Sequence, residues 1–113
     1  PYIATNPDYV CPTEYGSVPD CGSICDMIFN ATCKRPFVIG KPSPLMIRLA
    51  MEKEGCSPLE TAVIGDRIYT DIKSGLNAGA LSVLVMSGET TPEILEKSAD
   101  KPDIVLENAG QIM

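Results

Sequence analysis

Two aspartates and one lysine are the residues of this sequence best placed to carry out chemistry. Asp66 and Asp71 lie five positions apart, and Lys41 comes earlier, between Gly40 and Pro42. Two carboxylates at this spacing could converge on a hard cation such as Mg²⁺, which prefers oxygen ligands and retains waters beside a substrate phosphate. A lysine nearby could neutralise a phosphate or a developing negative charge. Two ordinary alternatives stay open: a first-turn aspartate complements the helix dipole, and most lysines are solvated.

Asn6 and Asp8 form a second polar pair, directly after a short strand predicted at residues 1–5. Their side chains could contact a ligand. Asparagine and aspartate also build Asx turns, in which the side chain accepts a hydrogen bond from a backbone N–H two residues further on. The local sequence favours the turn.

Composition excludes several classes of function. The 113 residues carry a net charge of −6, which opposes binding to a nucleic-acid backbone. The chain has no histidine, so Ser-His-Asp and Cys-His catalysis within it are excluded. It has no apolar run of 18 residues and no signal-peptide pattern, and its five cysteines are an odd number. We therefore predict no membrane span, free thiols and a cytoplasmic location.

Strands and helices are predicted to alternate from residue 37 onward. Short apolar segments predict strands at 37–39, 61–64, 81–86 and 104–106, and the stretches between them predict helices at 43–54, 70–78 and 91–98. Continuous apolar strands joined by helices are typical of a parallel sheet covered on both faces, the three-layer α/β/α Rossmann-like architecture. Ligands bind such sheets at the carboxyl ends of the strands, where Lys41 and Asp66 are expected. Ser87-Gly88 follows the third strand and predicts a turn.

The first 36 residues do not show this alternation of strands and helices. Prolines and a glycine predict a loop over residues 6–19. From Asp20 onward the apolar residues recur at helical spacing; they are Ile24, Met27, Ile28 and Ala31. Lys34-Arg35-Pro36 ends this helix, so we place a domain boundary between residues 36 and 37.

Three segments together resemble the haloacid dehalogenase (HAD) superfamily of phosphohydrolases, in particular its NagD-like branch of sugar and nitrophenyl phosphatases. The matching segments are Ile3–Asp8, Phe37–Pro44 and Val63–Ile72. Gly-Lys-Pro followed at this distance by Gly-Asp-x-x-x-Thr-Asp is far more specific than either motif by itself. The resemblance covers essentially the whole chain and implies a HAD-like α/β core, of which this sequence holds a part.

The resemblance also implies roles for the candidate residues. Lys41 would stabilise the phosphate and an aspartyl nucleophile, and Asp66 would bind Mg²⁺. Asp71 would support the metal site, through water or by holding Lys41, while Asn6 and Asp8 would bind substrate. The implied reaction is Mg²⁺-dependent hydrolysis of a small phosphorylated metabolite, such as a sugar phosphate or nitrophenyl phosphate, through an aspartyl-phosphate intermediate.

The same resemblance implies how the chain is organised. Residues 1–36 would be the end of an inserted α/β cap domain, and residues 37–113 the C-terminal half of the core. The family's nucleophile motif, Asp-x-Asp, does not occur in this sequence. We therefore expect the C-terminal portion of a phosphatase, inactive by itself, with an exposed sheet edge that invites pairing with another chain or a homo-oligomer. The alternative is a non-catalytic α/β binding or interaction module, a degenerate relative of the phosphatases.

Overall fold

The computed structural model describes residues 1–112. The chain divides into two compact units, Pro1–Gly40 and a second unit that begins at Lys41. Within the described residues no helix is both long and apolar enough to cross a membrane. The five cysteines all lie in this range and are free thiols.

The first unit contains four short strands and one helix. They are β1 (Ile3–Ala4), β2 (Val10–Thr13), β3 (Gly16–Pro19), α1 (Cys21–Thr32) and β4 (Phe37–Val38). β1 and β4 form a parallel pair, and β2 and β3 form an antiparallel hairpin. Asp20 caps α1, because its carboxylate accepts a hydrogen bond from the backbone N–H of Cys21 at 2.6 Å. The helix ends at Cys33, which adopts the left-handed conformation with φ 55°.

The β2–β3 hairpin lies where the sequence predicts a loop. Pro12 and Pro19 both sit in its strands and lack an N–H donor, a pattern that argues against strand when only the sequence is read. A two-stranded exposed ribbon tolerates proline, because half of its backbone groups face no neighbouring strand. Gly16 begins the second strand with φ +119°, a conformation that favours glycine.

α1 buries a different face from the predicted one. Ile24 and Met27 of the predicted apolar face are 49% and 65% exposed, whereas Gly22 and Cys25 are buried. The reason is a close approach at the start of the helix. The N–H of Gly22 donates to the carbonyl of Asp8 at 2.8 Å, and a Cβ at position 22 would overlap the backbone of that loop.

The second unit is a parallel sheet with its connecting helices. Its elements are α2 (Leu45–Glu54), β5 (Ala62–Gly65), α3 (Lys73–Ala78), β6 (Leu81–Val85), α4 (Pro92–Lys97) and β7 (Ile104–Leu106), with single 3₁₀ turns at Pro58–Glu60 and Ala109–Ile112. The strand order is β5-β6-β7, with Gly65 opposite Leu84 and Val83 opposite Ile104. This all-parallel arrangement confirms the predicted α/β class and a partial Rossmann-like core.

Two apolar clusters stabilise the second unit. Ile68, Ile72 and Leu84 form one cluster, and Leu84 and Ile72 are fully buried. The other cluster consists of Met51, Ala78 and Ala80, against which Ile47 and Val63 pack. β6 has a strand on each side and is buried over four of its five residues, as its predominantly apolar sequence predicts, although it includes Ser82.

β4 does not join the sheet that contains β5. The sequence places Lys41 after a strand that neighbours the strand of Asp66, but that strand, Phe37–Val38, pairs with β1. A two-residue strand makes few ladder hydrogen bonds, so its partner is decided by packing with distant residues. The division of the chain into compact units falls between Gly40 and Lys41. The cap-and-core division at residues 36 and 37 stays a prediction.

Asp103 should give the second unit a pH-dependent stability. Its Oδ2 accepts hydrogen bonds from the hydroxyl and the backbone N–H of Ser82, at 2.7 and 2.8 Å, and these bonds lower the pKa of the Asp103 carboxyl. Because the folded pKa is depressed, this stabilisation is complete above the unfolded value of about 3.9 and disappears as the pH falls through the folded value. We expect Asp103→Asn to lower Tm near neutral pH and to match the wild type in acid.

Thermal unfolding followed by circular dichroism across this pH window checks the prediction. Glu52→Gln is the matched control, because it also removes one carboxylate but from an exposed position in α2. A Tm difference for Asp103→Asn that stays constant down to the lowest pH would contradict the titration of this carboxyl as its cause.

Candidate functional site

Lys41 and Asp71 meet in the second unit, although 30 residues separate them in the sequence. Lys41 Nζ lies 2.5 Å from Asp71 Oδ1. The Asp71 side chain is 11% exposed and that of Lys41 is 54% exposed. The carboxylate is therefore nearly removed from water and paired with a cation, while the lysine keeps an open side toward solvent. An ammonium in this position can bind an anion without losing its anchor.

Backbone geometry at the end of β5 brings Asp71 to this place. Gly65 is the last residue of β5, and a π-helical turn over Ile68–Ile72 carries Asp71 back toward it. A Cβ on Gly65 would overlap the Asp71 carboxylate, so any larger residue would displace that side chain. Asp71 Oδ2 also accepts a hydrogen bond from the backbone N–H of Arg67 at 3.2 Å. Both carboxylate oxygens of Asp71 are thus engaged.

Asp66 follows β5 directly and is held by the loop after β6. Its Oδ2 accepts a hydrogen bond from the backbone N–H of Glu89 at 2.8 Å. Its carbonyl accepts from the hydroxyl and the N–H of Thr90, at 2.6 and 3.2 Å. A Cβ on Gly88 would overlap the Asp66 carboxylate. Ser87-Gly88 is a turn, as predicted, and the residues after it fix Asp66.

The sequence reasoning missed Glu89 and Thr90. The Glu89 carboxylate contacts Arg67 Nε at 2.5 Å and accepts a hydrogen bond from the Tyr69 hydroxyl at 2.7 Å. The pKa of the Arg67 guanidinium is raised, chiefly by the charge of Glu89 and less by Tyr69. Threonine after a glycine turn could have signalled a loop that hydrogen bonds to the neighbouring strand end, but such turns are too common to be diagnostic.

The carboxylates near the end of β5 could supply some of the ligands of a hard cation, but not a complete set. Among the described residues no group of three or more His, Cys, Asp and Glu side chains could hold a metal ion. Asp66 Oδ1 accepts no hydrogen bond from residues 1–112, whereas Glu89 holds Oδ2. One carboxylate oxygen suits Mg²⁺, which is commonly bound by one or two carboxylates with waters and phosphate oxygens completing the shell. The engaged oxygens of Asp71 favour its alternative predicted role, holding Lys41.

Asn6 and Asp8 lie in the first unit. Asn6 Oδ1 accepts a hydrogen bond from the backbone N–H of Asp8 at 2.9 Å, which is the Asx turn that the local sequence favours. Both side chains are half-buried. Substrate binding by these two residues stays a prediction.

The Lys41–Asp71 pair should show energetic coupling in a double-mutant cycle. Lys41→Met leaves a nearly buried carboxylate without its cation, and Asp71→Asn leaves the lysine without its anion. We expect the double variant to be more stable than the sum of the single effects predicts, by about 0.5–1 kcal/mol because Lys41 is half solvated. Urea unfolding of the four proteins measures this coupling. Lys53→Met, at an exposed position in α2, is the control, and strict additivity would contradict the pairing.

Comparison with known proteins identifies the family. A model of HAD-hydrolase-like proteins matches residues 38–112. Dihydroxyacetone phosphatase of Corynebacterium glutamicum (strain R) is 39% identical over 98% of this chain and 40% of its own length. Ribonucleotide monophosphatase NagD of Escherichia coli (strain K12) is 35% identical over 98% of this chain and 43% of its own length.

A solved structure gives the same result. The crystal structure of 4-nitrophenylphosphatase from Thermotoga maritima superimposes with a TM-score of 0.88 and is 50% identical, covering 98% of this chain and 43% of that protein. The chain thus spans less than half the length of each relative named here. The chain belongs to the HAD-like hydrolase family and resembles its NagD-like phosphatases.

Proposed function

We propose that the protein carrying this chain is a Mg²⁺-dependent phosphomonoester hydrolase, and that this chain supplies its phosphate-binding lysine and one metal ligand. The observation that carries the proposal is the contact between Lys41 and Asp71. Asp71 lies on the β5–α3 loop, which also contains Asp66. Ligands of parallel α/β sheets bind at this end of the strands. A lysine held against this loop and a free carboxylate oxygen on it are the groups that a phosphate–Mg²⁺ complex needs.

Each residue has a distinct part in this proposal. The Lys41 ammonium binds a phosphoryl oxygen and neutralises the charge that builds up there in the transition state. Asp71 keeps that ammonium oriented, because it binds Nζ from the buried side. Asp66 directs its Oδ1 toward a cation. Mg²⁺, when bound, would supply charge stabilisation for the transferring phosphoryl group.

The nucleophile comes from outside this sequence in the proposed reaction. An aspartyl-phosphate route needs an attacking carboxylate and an acid–base partner, and the Asp-x-Asp motif does not occur among the 113 residues. Two features support completion by further residues. β5 lies at an edge of its sheet among the described residues, with Ile64 45% exposed. Thr70 is 5% exposed, yet its hydroxyl has no hydrogen-bond partner within residues 1–112.

The proposed substrate is a small phosphorylated metabolite. The relatives of this chain include a dihydroxyacetone phosphatase, a ribonucleotide monophosphatase, an acid sugar phosphatase and a 4-nitrophenylphosphatase. These activities share a phosphate monoester on a small leaving group. Asn6 and Asp8 are proposed to contact that leaving group, and a cytoplasmic location is part of the same proposal.

A complementation assay with p-nitrophenyl phosphate tests the proposed function. We expect no turnover by the purified 113-residue chain and turnover when it is joined to the part of the Thermotoga maritima enzyme that it does not span. The physical reason is that the chain lacks the nucleophile but provides the lysine and a metal ligand. Turnover by the isolated chain that Asp66→Ala abolishes would contradict the assignment of the nucleophile to other residues.

Lys41→Met in the complemented enzyme should lower kcat by about 10²–10³-fold, because preorganised charge at the transition state is worth that much. Steady-state kinetics measures the effect, with Lys53→Met as the control for loss of an exposed lysine. Asp66→Asn should raise the Mg²⁺ concentration needed for half-maximal activity. Unchanged kcat in the first variant or unchanged Mg²⁺ dependence in the second would remove that residue from the site.

A further inference from the structure

We propose that Glu89 is a positioning residue for the cation site, and that the Gly88–Thr90 loop keeps the Asp66 carboxylate in the orientation that leaves Oδ1 open. This inference rests on the proposed function, in which Asp66 binds a divalent cation. It assigns a role to the loop after β6, which the proposed function does not use.

The loop holds Asp66 at three points. Glu89 N–H binds Oδ2 at 2.8 Å, and Thr90 binds the Asp66 carbonyl through both its hydroxyl and its N–H. Thr90 is 4% exposed, so its two bonds to the Asp66 carbonyl are shielded from water. With Oδ2 and the carbonyl both fixed, rotation of the carboxylate is restricted. A cation can then bind Asp66 Oδ1 without the cost of fixing the orientation of this carboxylate.

The side chain of Glu89 ties the same loop to the β5–α3 loop. Its two carboxylate oxygens contact Arg67 Nε at 2.5 Å and the Tyr69 hydroxyl at 2.7 Å. Arg67 in turn donates its backbone N–H to Asp71, the partner of Lys41. Removal of the Glu89 carboxylate would therefore free the segment whose N–H orients Asp66.

Gly88 explains why the loop can approach so closely. A Cβ there would overlap the Asp66 carboxylate, so the backbone after β6 passes directly against that side chain. Gly88→Ala would push the carboxylate away from its present orientation. This variant acts by a direct clash with Asp66, whereas Glu89→Ala removes a side-chain support of the loop, so the two substitutions test one prediction by different means.

The test measures Mn²⁺ affinity by water-proton relaxation, with Mn²⁺ as the probe for Mg²⁺, in the complemented enzyme, in which the 113-residue chain is joined to the part of the Thermotoga maritima enzyme that it does not span. We expect Asp66→Asn to weaken binding more than any of the variants in the loop after β6. Gly88→Ala and Glu89→Ala should each weaken it about 10–100-fold, the usual effect of removing groups that orient a metal ligand. Glu89→Gln, which can still accept the Tyr69 hydrogen bond, should retain more affinity than Glu89→Ala. Glu52→Ala, exposed in α2, should bind as the wild type.

A second measurement separates positioning from a general structural role. Hydrogen exchange followed by NMR should show protected Glu89 and Thr90 amides in the wild type, and loss of Glu89 protection in Asp66→Ala. Tm of Glu89→Ala should stay close to that of the wild type, since Glu89 is exposed. Affinity loss that only parallels a large fall in Tm would overturn the positioning role.

The outcomes distinguish this inference from the function on which it rests. Mn²⁺ binding that requires Asp66 but is unchanged in both Gly88→Ala and Glu89→Ala would overturn the role of the loop and leave the proposed function intact. Absence of binding by the wild type at millimolar Mn²⁺, or equal binding by Asp66→Asn, would overturn the metal role of Asp66 and with it the positioning role of Glu89.

Discussion

The near-burial of the Asp71 carboxylate is the constraint on which the arrangement of the site depends. A carboxylate removed from water is costly unless it is paired and hydrogen bonded. Lys41 Nζ and the Arg67 N–H bind its two oxygens, and only a glycine at position 65 leaves space for it at the end of β5. Lys41 is consequently attached to the second unit at its first residue. Loss of Lys41 would leave this nearly buried charge without its cation.

The loop that contains Asp71 is also bound to the loop that follows β6. β5 and β6 are adjacent parallel strands, so the loops that follow them emerge at the same edge of the sheet. Asp66 and Arg67 in one loop are bound by Glu89 and Thr90 in the other. A backbone group takes part in every contact that Glu89 and Thr90 make with Asp66. The site is therefore ordered by its supports before any ligand arrives.

Most elements of the second unit could be predicted because their signals are local. β6 is apolar at four of its five positions, and α4 begins at Pro92 after Thr91, whose hydroxyl accepts a hydrogen bond from Ile94 N–H. The elements of the first unit were harder to predict, because prolines in the β2–β3 hairpin are more typical of loops than of strands. The partner of β4 and the buried face of α1 depend on close approaches between distant residues, such as Gly22 against the loop after β1. The spacing of apolar residues along the sequence does not predict such approaches.

The sequence by itself determined the residue types available for chemistry: no histidine, a lysine between a glycine and a proline, and two aspartates five positions apart. It also determined the parallel α/β class, because continuous apolar strands separated by helices leave few other arrangements. Only the tertiary structure decided that Asp71 binds Lys41 with both its oxygens engaged, and that Glu89 and Thr90 hold Asp66. The physical reason is that the contacts of Lys41 with Asp71 and of Asp66 with Glu89 and Thr90 join residues 23 to 30 positions apart, so their distances follow from sheet packing and not from local propensity.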